Sequence, residues 1–165
     1  MKTLTAGITR ILSFVLIALM AAMVLDVSWQ VFTRFVLRNP SGFTEELAGF
    51  LLIWIGLLGA SYAYSIKAHL GIDLLTSKLS GARKQASEIL IASIVGLFAI
   101  FVLVIGGWRL VGMTFTLQQI SPVMGIPVGC VYLVLPLTGI LFVYYSVHCI
   151  VEALENGGKT GARKP

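Results

Sequence analysis

Apolar residues gather in four long, nearly unbroken runs, at residues 8–25, 47–66, 89–108 and 127–151, and the first continues amphipathically to Phe35. A hydrocarbon core of about 30 Å is crossed by about 20 helical residues, so each run is long enough to span a bilayer. The runs do not alternate in the short segments that a membrane β-barrel needs. In lipid, each backbone N–H and C=O must find its partner within its own segment. The predicted fold is therefore all-α, with four transmembrane helices in a single domain over residues 1–155 and a disordered, Gly-rich tail over 156–165.

Polar positions that interrupt the pattern refine it. Asp26, Gln30 and Arg34 recur every four residues, which places them on one face of the first helix. A carboxylate is costly against lipid, so this stripe is expected to face protein, with Asp26 paired to a polar group, or else to face an ion pathway. Asn39-Pro40-Ser41-Gly42 reads as a turn, with Arg38 just before it. Ser41 or Thr44 is expected to cap the second helix, and Glu45 and Glu46 lie in its first turn, where the helix dipole favours anions. The same two acids can serve as a contact site at the membrane surface.

Small residues form two further stripes. Gly49, Gly56, Ala60 and Ala63 lie along the second helix, with Gly59 beside them, and Ala92, Gly96, Ala99 and Gly106 along the third. Small residues let membrane helices approach closely, so the stripes suggest a tight hairpin of helices two and three, or docking of another subunit. Residues 67–86 read as a loop holding a short interfacial helix. Asp73 would cap it, Leu74, Leu75 and Leu79 would form its apolar side, and Lys78, Arg83 and Lys84 would meet lipid headgroups. Pro127 suits the first turn of the fourth helix, and Pro136 should kink that helix and free a carbonyl near Tyr132.

Only 12% of the residues are charged, against about 25% in an ordinary soluble domain, so no soluble core could hide this chain's apolar surface. The net charge of +5 reads as a topology signal rather than a nucleic-acid footprint. Nine Lys and Arg residues lie on the side of the termini and the 67–86 loop, and three, Arg34, Arg38 and Arg109, on the other. The positive-inside bias then places both termini in the cytoplasm. Lys2, Arg10 and the run 11–25 look like a signal peptide's first two regions, but the pattern continues through Trp29, Val31, Phe32 and Phe35, which favours a retained helix.

Candidate chemistry is sparse. Cys130 and Cys149 fall on the same predicted helix, about 28 Å apart along its axis, too far to bridge. His69 lies just outside an apolar run and His148 near a helix end, which argues against a pair of buried haem ligands. No phosphate-binding loop, nucleophile elbow or metal-ligand cluster appears. No enzyme activity and no cofactor is implied. A self-contained four-helix proton-coupled exporter remains an alternative, with Asp26 as its carboxylate, although the chain has neither an internal repeat nor a pair of broken helices.

An ordered set of short motifs adds a resemblance. It comprises Arg34-Phe35-Val36-Leu37-Arg38-Asn39-Pro40, Phe43-Thr44-Glu45-Glu46-Leu47-Ala48, Trp54, Leu58-Gly59-Ala60 and His69-Leu70-Gly71-Ile72-Asp73, then Gly125-Ile126-Pro127 through Tyr132 to Pro136-Leu137. Together these resemble the DctQ-like small membrane subunit, or Q subunit, of tripartite ATP-independent periplasmic (TRAP) transporters. Phe43 replaces the family's usual Trp, and Val128-Gly129 follows Pro127 where an aromatic is common. The resemblance implies a scaffold that binds a large transmembrane subunit. That subunit moves sodium and an organic acid, of the C4-dicarboxylate or sialic acid class, delivered by a periplasmic binding protein. Expected contacts with partners or within the structure are Asp26, Gln30, Arg34, Arg38, Glu45, Glu46, Gly56, Ala60, His69 and Asp73. Location in the bacterial inner membrane follows from the same resemblance.

Overall fold

The computed structural model describes residues 2–39, 41–66 and 82–161. Four of its helical stretches are long and apolar enough to cross a membrane: Leu4–Phe35, Gly42–Ser65, Arg83–Thr116 and Val128–Glu155. They are built from α1 (Lys2–Phe35), α2 (Gly42–Ser65), α3 (Ala82–Phe98), a π-helical run (Ala99–Gly106), α4 (Gly107–Thr116), α5 (Val128–Tyr132) and α6 (Val134–Gly161). Among the described residues there is no strand, only an isolated bridge between Ile120 and Pro127. The expected all-α fold with four spans is the observed one.

The third span is longer at both ends than its apolar run. It covers 34 residues, or about 50 Å of helix, well beyond the hydrocarbon thickness. Arg83, Lys84 and Gln85 are good helix formers, and extending an existing helix adds one hydrogen bond per residue. Arg83 and Lys84 are therefore exposed positions in the first turn of α3, not part of a loop. At the other end Arg109 stays helical and exposed. α6 likewise runs on past its apolar run, to Gly161. The expected interfacial helix, with His69, Asp73 and Lys78, lies outside the described residues.

Packing does not follow the expected hairpin of helices two and three. α1 packs on α2, α2 on α6, and the third span along the fourth. The reason lies in the fourth span. A Cβ on Gly139 would come within 2.8 Å of Leu103 Cβ and 3.0 Å of the Val104 backbone nitrogen. A Cβ on Gly107 would come within 2.9 Å of Leu135 Cβ and 3.1 Å of the Pro136 nitrogen. These contacts step along the two spans in opposite directions, so the pair is antiparallel and held backbone to backbone. Ala92 and Ala99 are buried in it, and Gly96 meets Ser146. The third span thus uses its small residues on the fourth, joined to it by the short connection 117–127.

The irregular backbone lies at this contact. The fourth span breaks at Leu133, between α5 and α6, three residues before Pro136. Pro136 lacks the N–H that would have bonded one turn back, as its position predicted. The π-helical run lies opposite, against Gly139. One oxygen in this region, Thr138 Oγ1, is buried without a hydrogen-bond partner among the described residues.

The two pairs of spans meet through α2 and α6. Leu12 of α1, Leu58 of α2 and Val134 of α6 form a buried cluster, with Leu16, Leu19, Trp54 and Leu141 packed against it. Tyr64 lies on Phe142, with ring centroids 5.3 Å apart, and its hydroxyl is 3.1 Å from Ser146 Oγ. Between membrane helices such hydrogen bonds contribute only about 0.6 kcal/mol each on average, so close packing carries most of the cohesion.

Candidate functional site

Polar groups concentrate at the two ends of the bundle. At the end away from the termini, Glu46 reaches from the second turn of α2 to the connection between the third and fourth spans. Its Oε2 accepts the backbone N–H of Met124 at 2.9 Å and that of Val123 at 3.2 Å. Met124 N also lies 3.2 Å from the hydroxyl of buried Ser121. The connection holds its own shape through Ser121 N–H to Ile126 O (2.9 Å) and Gly125 N–H to Ser121 O (3.0 Å). Gly125 has φ of +67°, a backbone that glycine adopts without strain. Glu46 therefore ties the start of α2 to a preformed loop, and Glu45 beside it is exposed.

Capping of α2 differs from expectation. Ser41 occupies the N-cap position but makes no side-chain cap bond. The Thr44 hydroxyl instead donates to Ser41 O at 2.9 Å. Arg38, in the turn before it, is exposed and has φ of +51°.

The polar stripe of α1 emerges gradually from the protein. Asp26 is only 8% exposed, Gln30 is half-buried and Arg34 is exposed. Asp26 Oδ2 is buried and has no hydrogen-bond partner among the described residues. Around the stripe, α1 presents Leu25, Trp29, Val31, Phe32 and Phe35, all exposed. The small-residue face of α2 is also uncovered. Among the described residues, a Cβ added at Gly49, Gly56 or Gly59 would meet nothing within 4 Å, while Ala60 is half-buried.

At the end bearing the termini, α1, α2 and α6 border an open surface cleft of about 630 Å³. Its lining includes Thr5, Thr9, Arg10 and Ser13 from α1, Tyr62 and Ser65 from α2, and His148 and Glu152 from α6. Thr5 Oγ1 lies 3.0 Å from the Tyr144 hydroxyl and Thr9 Oγ1 3.2 Å from that of Tyr145, which holds α1 against α6. Sequence reading missed this cleft, although Thr5, Thr9 and Ser13 repeat every four residues and so share a helix face. Among the described residues, no group of three or more His, Cys, Asp and Glu side chains could hold a metal ion.

Four helical stretches long and apolar enough to cross a membrane, with no strand among the described residues, define a multi-pass, all-helical integral membrane protein. Its family follows from comparison with known proteins. The sequence profile described as Tripartite ATP-independent periplasmic transporters, DctQ component, matches residues 23–156, and the chain belongs to that family. It is 28% identical over 141 residues to a Haemophilus influenzae protein named as a TRAP transporter small permease protein, covering 86% of each chain. It is 26% identical over 155 residues to the sialic acid TRAP transporter small permease protein SiaQ of Vibrio cholerae, covering 94% of this chain and 88% of that one. The chain is thus a small permease subunit of a bacterial inner-membrane transporter and a transport component, not an enzyme. Small permease subunits of this family work with a large membrane subunit and a periplasmic binding protein.

Proposed function

We propose that this subunit scaffolds the large transport subunit in sodium-driven uptake of an organic acid, with both termini in the cytoplasm. The observation that carries the scaffold reading is the uncovered outer half of α1 together with the open small-residue face of α2. Membrane helices associate by close van der Waals contact and occasional hydrogen bonds. These faces offer both, with Gly49 and Gly56 for close approach and the exposed Arg34 for hydrogen bonds. Gln30, Arg34, Arg38 and Glu45 would border that contact. The likeness to a sialic acid small permease supports a carboxylate substrate of the sialic acid or C4-dicarboxylate class, bound by other components.

Replacing Asp26 with Asn tests the scaffold role in the co-expressed complex. The expected result is lower thermal stability of the complex with the large subunit, and unchanged sodium dependence of uptake. A shifted sodium dependence in an intact complex would place Asp26 on an ion path and overturn the reading.

A further inference from the structure

The third and fourth spans lose regular helix at the same level. In the third, the π-helical run Ala99–Gly106 ends at Gly107, whose N–H is shared among the carbonyls of Val102, Leu103 and Val104. The register there is poised between wide and tight helix, and shifting it leaves no backbone group unpaired in lipid. In the fourth, the helix breaks at Leu133, Pro136 has no N–H to give, and the next bond, Leu137 N–H to Leu133 O, is long at 3.3 Å. Either irregularity alone would be braced by a regular neighbour. Here each faces the other, with Gly107 against Pro136 and Gly139 against Leu103 and Val104, so neither glycine sets an interlocking side chain in the contact. We propose that residues 107–132, namely α4, the connection and α5, form one outer unit that pivots on these two stretches, with Glu46 as its latch.

The unit holds together by its own contacts. A Cβ on Gly129 of α5 would come within 2.7 Å of the Phe115 ring of α4, so the two helices touch without a gap. Val128 N–H donates to Gln119 O and Ser121 N–H to Ile126 O, both at 2.9 Å, which closes the connection on itself. Among the described residues, its hydrogen bonds to α1 and α2 run to Glu46, from the N–H groups of Val123 and Met124. α5 also touches α2, a contact with no hydrogen bond of its own among the described residues. Below the pivot the bundle is fixed, with Ala92 and Ala99 buried, Gly96 on Ser146 and Leu12 on Leu58 and Val134. A transport cycle opens its site alternately to the two sides of the membrane. A pivoting outer unit lets this subunit follow that change at its outer end while its inner bundle keeps its grip. The hinge belongs to this chain alone and stands whether or not the scaffold reading does.

Double electron–electron resonance on the purified full-length chain reads the motion. Cys130→Ser and Cys149→Ser clear the background, and spin labels enter through Ile17→Cys paired with either Gln119→Cys or Ile94→Cys, all exposed positions. A tilt of about 20°, the size of a proline kink, over the roughly 15 Å of α4 moves its tip by about 5 Å. Glu46→Gln should therefore broaden the 17–119 separation by about that amount and leave the 17–94 separation unchanged. Adding Pro136→Ala supplies the missing N–H and should narrow the 17–119 separation again. No broadening, equal broadening of both separations, or no narrowing by Pro136→Ala would overturn the hinge. Hydrogen exchange on the unsubstituted chain is a second readout should a variant not fold. Amides at 102–107 and 133–137 should exchange about tenfold faster than those at 89–96 and 141–146, and equal protection would overturn the hinge as well. In the reassembled transporter, Pro136→Ala should slow uptake per assembled complex. An unchanged rate per complex would overturn the use of the hinge in transport.

Discussion

Glu46 holds two adjacent backbone N–H groups of the distant 117–127 connection through a single carboxylate oxygen. An ionised carboxylate is a strong acceptor for such groups, and its amide replacement offers a weaker one. Glu46→Gln should therefore leave the helices intact and loosen the loop, seen as faster amide hydrogen exchange at Val123 and Met124. Unchanged exchange would mean the loop holds itself. A second residue reports on backbone strain. Gln118 follows the C-cap of α4 with φ of +48°, in a turn where Gln119 N–H reaches Thr114 O at 3.1 Å. A non-glycine residue in this region costs roughly 1–2 kcal/mol, while glycine loses more chain entropy on folding. Gln118→Gly should thus stabilise the subunit by about 0.5–1 kcal/mol, read as a raised Tm.

At the scale of elements, glycines with similar sequence surroundings have opposite roles. Gly139 lies against the π-helical run, where an added methyl would meet both a side chain and the backbone. Overpacking of this kind costs about 1–3 kcal/mol, because backbone cannot rotate away as a side chain can. Gly56 faces open space in the isolated subunit. Gly139→Ala should accordingly lower the Tm of the purified subunit. Gly56→Ala should leave that Tm unchanged or slightly higher and weaken co-purification with the large subunit. Both variants behaving alike in the isolated subunit would contradict the packing described. Seen from the sequence, both positions are glycines in apolar helices. The hairpin expected from the small-residue stripes failed for this reason: a stripe marks a face fit for close approach without naming what approaches it.

For the whole molecule, four spans in two antiparallel pairs meet through α2 and α6 and leave much of α1 uncovered. Lone reconstitution in liposomes should show no organic-acid uptake above empty vesicles, whereas addition of the large subunit and the binding protein should restore it. Uptake by the subunit alone would make it the transporter rather than the scaffold.

The four spans, their helical state and the family were legible in the sequence, because the bilayer sets segment length and forces backbone pairing to be local. The break near Pro136 was legible too, since a missing N–H is a property of one residue. Tertiary structure alone decided that the third span lies on the fourth, that Glu46 reaches residues 123 and 124, and that Arg10 and Glu152 border one cleft. Helices surrounded by lipid have no hydrophobic gradient to dictate their neighbours. Pairing is then decided by shape, where a Cβ is absent on one helix and backbone can fill the space from another.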